Sequence, residues 1–401
     1  MPTPRKIPCA AALLVLATLA LAATPAGAAG APDRSDPPRR ASQRLLAADL
    51  FQSGRQLVFT VRTARPVALA SLWRQPDPRR AGGRYLCLAL GRSDGGGRER
   101  LLCLGGRRPR SQVGLVLAAE GGRPERAGTV PAAVKRPRPD KLVVSFDPGA
   151  AGLRPDRYAW RAIASTGCEV RRRCALALPA EGSRPFRLRP VRAVGCTGGG
   201  PDLVSNGPRD RPLVALTFDD GPSDETPAFL DFLRGVGVPA TFFEVGSVMG
   251  GREATMRRML REGHEIGDHT QDHVEYPGHA QIAAAASRIE AATGFKPCLF
   301  RPPGGAVNGS VVATAGALGM TTVLWDVDPF DWKLPGSAAI ASHILSAAHP
   351  GSIILMHDGG GPRGGTLAAL PAIVSGLRAR GYGFATVSEL LGNRILYRPY
   401  G

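Results

Sequence analysis

Two textures of apolar and polar positions divide the chain. Over residues 44–195 the apolar residues come in short runs: Gln56–Val61, Val67–Trp73, Tyr85–Leu90, Leu101–Leu104, Val113–Ala118, Lys141–Phe146 and Tyr158–Ala164. Clusters of Gly, Pro, Asp and Arg separate them. Several short runs at this spacing predict an all-β, sandwich-like domain. From residue 211 the texture changes. Strand-like runs at Leu213–Phe218, Ala240–Val245, Glu265–His269, Cys298–Arg301, Thr321–Trp325, Ser352–Met356 and Tyr382–Thr386 alternate with helix-like stretches. The stretches are Asp224–Arg234, Ala254–Glu262, His279–Thr293, Ser310–Gly316, Ser337–Ala348 and Leu367–Arg380. That alternation predicts a parallel sheet or a (β/α) barrel, whose chemistry sits where the strands end. Asp219, Asp220, His269, Arg301, Asp326 and His357 fall at those ends.

The boundaries follow from composition. Residues 29–43 are rich in Pro, Arg and Ala and read as a flexible lead, 196–210 as an interdomain linker, 211–392 as the catalytic domain and 393–401 as a C-terminal tail. Residues 1–28 read as a signal peptide: Arg5 and Lys6 precede the apolar run Ala10–Ala23, and Ala26-Gly27-Ala28 fits a small-x-small cleavage site. Pro25 and Gly27 end the run before it reaches the roughly 20 residues of a membrane span. An uncleaved anchor is the competing reading. No other stretch is long enough to span, so a secreted or wall-associated protein is expected. The segment Leu153–Tyr158 is similar to the turn and tyrosine that enter a strand in immunoglobulin-like modules.

Charge sharpens the division. The chain of 401 residues carries a net +18. Residues 30–200 hold 33 basic and 13 acidic residues, whereas residues 201–401 hold 16 basic and 20 acidic ones. The basic character belongs to the strand-rich half. Nucleic acid is not expected as a partner, because the leader implies export and no nucleic-acid motif is present. An anionic cell-wall polymer or membrane surface suits an exported basic module better. Cys9 leaves with the leader, and the six remaining cysteines suggest disulfides. Six cysteines allow 15 connectivities; Cys87 with Cys103 and Cys168 with Cys174 read as local pairs, and Cys196 with Cys298 would then tie the halves.

Five blocks in the second half carry chemistry. Thr217-Phe218-Asp219-Asp220-Gly221-Pro222 sets two adjacent carboxylates at a strand end, where one can bind a metal while the other handles protons. In His269-Thr270-Gln271-Asp272-His273 the two His are four apart, and on a helical turn they share a face. With Asp220 they make a two-His, one-carboxylate set that leaves positions open. Phe300-Arg301-Pro302-Pro303-Gly304-Gly305 supplies a buried-type Arg, for which Asp219 is the natural partner. Trp325-Asp326-Val327-Asp328-Pro329-Phe330-Asp331-Trp332 brings acids and Trp faces together. Ile353-Ile354-Leu355-Met356-His357-Asp358 is an apolar strand ending in a His, a general-acid candidate in this company.

These blocks, in this order and spacing, resemble the five motifs of the polysaccharide deacetylases, the NodB-homology domain of carbohydrate esterase family four. The resemblance covers residues 211–392. It implies a distorted seven-stranded (β/α) barrel, a divalent metal (zinc foremost, with Co, Ni or Mn as alternatives) and hydrolysis of acetyl groups on a polysaccharide. It implies that Asp220, His269 and His273 hold the metal and that Asp219 is the general base, with Arg301 holding it. Asp331 would support the catalytic acid or the Arg network, and His357 would protonate the leaving amine. Pro303, Gly304, Gly305, Trp332 and Leu355 would line the substrate site, Trp332 as a wall and Leu355 at the acetyl pocket. Asp268 stands where the family usually has Asn, Val274 where Pro or Ser is common, and Gly305 where Tyr often occurs, its N–H still available as an oxyanion donor. His264, His279, His343 and His349 match no motif and read as structural or solvated. The expected activity is N-deacetylation of a cell-wall glycan, peptidoglycan foremost. The alternatives are a chitooligosaccharide deacetylase, an acetyl-xylan esterase or a non-catalytic glycan-binding wall protein.

Overall fold

The computed structural model describes residues 44–66, 84–95, 99–104, 112–118, 124–166, 176–197 and 202–400. The leader, the flexible lead, the run Val67–Trp73 and the pair Cys168/Cys174 lie outside them.

Among the described residues, the first half is a ten-stranded antiparallel sheet. Its strands are β1 (Leu45–Ser53), β2 (Gln56–Thr63), β3 (Arg84–Arg92), β4 (Arg100–Leu104), β5 (Gln112–Ala118), β6 (Pro124–Arg138), β7 (Lys141–Phe146), β8 (Asp156–Thr166), β9 (Leu176–Leu178) and β10 (Arg184–Leu188). They pair in the order β1-β2-β7-β6-β5-β4-β3-β8-β10, with β9 beside β8. β7 shows why they fold: Leu142, Val144 and Phe146 are buried, while Lys141, Val143 and Ser145 face outward. They pack with Leu57, Phe59, Leu88, Leu102 and Trp160 in one apolar cluster. Tyr158 donates to the Arg154 carbonyl at 2.7 Å and accepts from its N–H at 3.1 Å, a tyrosine corner as in immunoglobulin-like modules. Cys87 faces Cys103 across β3 and β4, and the two are bonded.

Two short elements follow, β11 (Val191–Cys196) and β12 (Leu203–Val204). Next come β13 (Leu213–Gly221), α1 (Thr226–Val236), β14 (Thr241–Glu244), α2 (Glu253–Glu262), β15 (Glu265–Asp268), α3 (His279–Thr293), β16 (Leu299–Phe300), α4 (Gly309–Ala317) and β17 (Thr321–Val323). The chain continues with α5 (Ser337–Ala347), β18 (Ile353–His357), α6 (Gly364–Ala379), β19 (Gly383–Phe384), α7 (Val387–Leu390) and β20 (Ile395–Pro399). The parallel order is β12-β17-β16-β15-β14-β13-β18, with β19 against β13. The sheet curls into a half-barrel, and isolated bridges from Val327 to Ile354 and from Asn206 to Ser352 link the segments after β17 and β12 to β18 and the residue before it. Strands buried on both faces read as continuous apolar runs, and β13 is buried from Val214 to Asp219. Left-handed glycines at 237, 263 and 294 end α1, α2 and α3.

Two expectations change. The linker adds β12 to the parallel sheet, and the C-terminal tail forms β20, which pairs with β11. The Cys196–Cys298 disulfide fastens β11 to the start of the fourth strand-like run. No helix among the described residues is long and apolar enough to cross a membrane.

Candidate active site and metal centre

The parallel strands of the barrel deliver the five blocks to one place. At the end of β13 the register slips between Asp219 and Gly221, and Asp220 takes a left-handed φ of 69°. A bulge of this kind re-aims a side chain, so the neighbouring carboxylates diverge. Asp219 turns inward to Arg301, whose Nη1 donates to its Oδ1 at 2.7 Å and to Thr217 Oγ1 at 2.8 Å. Arg301 is fully buried and also donates to the carbonyls of Val323 and Leu324. Its guanidinium carbon lies 4.1 Å from the centre of the Phe243 ring. Every face of this buried cation is therefore met, as a charge removed from water requires.

Asp220 turns to the histidines. Its Oδ1 is 3.4 Å from His269 Nε2 and 3.1 Å from His273 Nε2. His269 Nδ1 lies 2.7 Å from the Arg301 carbonyl. A carbonyl only accepts, so Nδ1 carries the proton and Nε2 keeps its lone pair. The buried Asp220 Oδ1 has no conventional hydrogen-bond partner. One donor atom from each of Asp220, His269 and His273 lies within 4.8 Å of the others. Ligands about 2 Å from a tetrahedral ion stand roughly 3.3 Å apart, so this set fits a divalent metal. Burial alone would raise the Asp220 carboxyl, but the two imidazoles outweigh it and hold it well below the usual carboxylate range.

The second His does not arrive on a helical turn. Residues 269–274 form a loop, with left-handed Thr270 (φ 70°) and His273 (φ 55°). Asp268 Oδ1 accepts from Thr270 N–H at 2.8 Å and pins the bend, the bond an Asn there would make. Burial pushes the Asp268 carboxyl up to about 8.

The polysaccharide deacetylase profile matches residues 206–323. A peptidoglycan-N-acetylglucosamine deacetylase of Bacillus cereus is 41% identical over 192 residues, which are 46% of this chain and 90% of that protein. The chain belongs to the polysaccharide deacetylase family. A peptidoglycan-N-acetylglucosamine deacetylase of Listeria monocytogenes is 37% identical over 45% of this chain and 39% of its own length. A chitooligosaccharide deacetylase of Bradyrhizobium is 36% identical over 44% of this chain and 90% of its own length. A deacetylase of N-acetylglucosamine is a hydrolase of carbon–nitrogen bonds, and this chain is an enzyme of that class.

The rest of the deacetylase site assembles across β18. His357 Nδ1 lies 2.7 Å from Asp331 Oδ1, and His357 N–H donates to Asp331 Oδ2 at 2.9 Å. Asp331 thus serves the histidine and not the Arg301 network. Thr366, which the sequence did not single out, donates to Asp331 at 2.8 Å. Burial pulls the His357 imidazole down, but the bond and charge of Asp331, with Asp219 and Asp220 beyond, outweigh it and leave it raised. Leu355 is buried on β18, whereas Trp332 stands half exposed with Phe330 and Leu334 beside it.

The Pro-Pro-Gly-Gly turn corrects one assignment. Counting on from Arg301, the fourth position, Tyr in the family pattern, is Gly304 and not Gly305. The Gly305 N–H already donates to the Pro302 carbonyl at 3.1 Å, so it is engaged in the turn. Pro303 is buried beneath it. The Gly304 backbone is left-handed (φ 62°), and the Glu275 side chain lies 3.0 Å from where its Cβ would be. Gly359 and Gly360 were also missed. A Cβ on Gly360 would come within 2.3 Å of Asp220 Oδ2, so only glycine lets this backbone pass the ligand. Their signal was the glycine run after His357-Asp358. Asp326 belongs to a separate contact, accepting from Ile353 N–H at 2.8 Å and pairing with His349 at 2.9 Å.

Proposed function

We propose that the protein removes acetyl groups from the N-acetylated sugars of a cell-wall glycan, peptidoglycan foremost, outside the cell. The convergence of Asp219, Asp220, His269, His273 and His357 on one strand-end site carries this reading. Asp220, His269 and His273 would hold the divalent ion, and their two nitrogens and one carboxylate suit zinc. Such an ion polarises the acetyl carbonyl and acidifies water.

The chain's own groups do the rest. Asp219, oriented by Arg301, takes a proton from the attacking water as its oxygen bonds to the acetyl carbon. His357 gives a proton to the leaving nitrogen as the carbon–nitrogen bond breaks. Acetate and a free amino sugar result. Asp331 fixes the imidazole so that its outer nitrogen faces the substrate. The Pro303 to Gly304 turn and Leu355 shape the acetyl pocket, and Trp332 offers a face for a sugar ring.

Peptidoglycan is favoured because the relative at 41% identity carries that activity in its name. Chitooligosaccharide is the second reading, supported by the relative at 36%. Acetate release from peptidoglycan, chitooligosaccharide and acetyl-xylan, before and after chelation, tests the assignment. Zinc binding with no acetate from any of them would leave a glycan-binding protein instead. The leader directs export in this account, and the basic strand-rich region retains the enzyme on an anionic wall polymer.

A further inference from the structure

The excess of positive charge has a focus. Across three neighbouring strands, Arg62 on β2 lies directly opposite Lys141 on β7, and Lys141 lies directly opposite Arg138 on β6. Val61, Thr63 and Leu142 point into the core, so Arg62 and Lys141 face outward, and Arg138 is exposed. Strands stand about 4.8 Å apart, and the three cations therefore form a line roughly 10 Å long. Lys135, exposed and paired with outward-facing Val143, extends it along β6, and Arg136 beside it is also exposed. Asp140 lies 3.8 Å from Arg138, and Asp49 on β1 sits opposite Thr60, two positions along β2 from Arg62. Among the described residues no carboxylate comes within ion-pair distance of Arg62, Lys141, Lys135 or Arg136.

Like charges directly opposite each other destabilise a sheet, where opposite charges or β-branched pairs would stabilise it. Two such oppositions in succession are a cost to folding that the sheet itself does not need. We propose that this row is the contact surface for a linear phosphodiester polymer, whose repeating anions lie along the cations of β2, β7 and β6. Two of the three aligned residues are Arg, whose planar fork matches phosphate oxygens in pairs. A bilayer site combines cations with large apolar side chains that enter the lipid interface. Among the described residues of this region the exposed large apolar side chains, Leu46 and Phe51, lie on β1 and not on the strands of the row. This inference deepens the reading that the strand-rich region retains the enzyme on an anionic polymer. Its deciding readouts, polyphosphate binding and melting temperature, use no acetylated sugar, so failure of the deacetylase reading leaves it untouched.

The test uses the full exported chain and long-chain inorganic polyphosphate. Binding is compared for wild type, for the triple variant Arg62→Thr/Arg138→Thr/Lys141→Thr, and for Arg209→Thr/Arg261→Thr/Arg288→Thr, which removes the same charge elsewhere. The row variant is expected to bind at least about tenfold more weakly near 0.15 M salt, with its logarithmic salt slope reduced by about two. The elsewhere variant should stay close to wild type. The row variant should also melt at a higher temperature, because two like-charge oppositions are gone, and should still release acetate from a soluble chitooligosaccharide. Equal weakening in both variants would reduce the effect to net charge and overturn the proposal. So would capture of wild type by phosphatidylglycerol-containing vesicles with no binding to polyphosphate, or a lower melting temperature in the row variant.

Discussion

The barrel site and the strand-rich sheet use charge in opposite ways. In the barrel, Arg301 and Asp219 are buried and each of the three guanidinium nitrogens has a named acceptor. On the sheet, Arg62, Lys141 and Arg138 are set against one another at the surface. Charge in the first region is geometry: low dielectric makes each pairing strong and each misplacement costly. Charge in the second region is a field that sums over residues and is screened by salt. The two halves should therefore respond to different perturbations.

The sharpest break falls on the metal set. His269→Ala removes a donor that both the strand end and the Arg301 carbonyl position. The expected result is a protein without bound metal, by elemental content, and acetate release at background. Retention of metal and activity would show that the three-residue set is wrong.

Next in size is the acid. Asp331→Asn should lower turnover roughly 10–10²-fold. It should also move the alkaline limb of the pH profile. His357 acts in its protonated form, so activity is lost as pH rises through its pKa. That pKa is raised in the folded protein, and the limb lies above the ordinary His value. Removing the Asp331 charge should bring the limb down, and an unmoved limb would detach His357 from the acid role.

Salt separates the two regions directly. At about 1 M salt the screening length is near 3 Å. Activity on a soluble oligosaccharide should then change less than about twofold, because the pairs at the site are buried. Retention on a polyanion should collapse. Equal salt sensitivity of both would erase the contrast. The smallest effect concerns Asp268. Asp268→Asn keeps the bond to Thr270 N–H and should be nearly silent in acetate release. Asp268→Ala leaves that buried donor unpaired, about 1–3 kcal/mol, and should cost activity about tenfold.

The barrel was the legible half because its strands are buried on both faces. All seven strand-like runs from Leu213–Phe218 to Tyr382–Thr386 contain observed strand residues. The sheet was read less fully for physical reasons. β1 is an edge strand in which only Leu45 and Ala48 are buried, so its apolar alternation is faint. β6 carries Pro124, Pro131 and Pro137, which argue against a strand in any propensity-based reading. β20 lies in a tail flanked by Arg394 and closed by Pro399, and its partner β11 is some 200 residues away in sequence. At the site, residue identity was legible and backbone conformation was not. The left-handed turns at Asp220, Thr270 and His273 aim the ligands, and their residue types do not announce that geometry. The same gap hid Gly360 and Thr366, whose roles depend on which backbone or carboxylate they meet.

The central claim is that Asp219 handles the proton while Asp220 and the two histidines hold the ion. Acetate release and metal content measured on the same preparation of Asp219→Asn test it most directly. The account predicts metal content equal to wild type with turnover lower by about 10²–10⁴-fold. Near-normal turnover with metal retained would contradict the base assignment, and loss of the metal would contradict the division of roles between the two neighbouring aspartates.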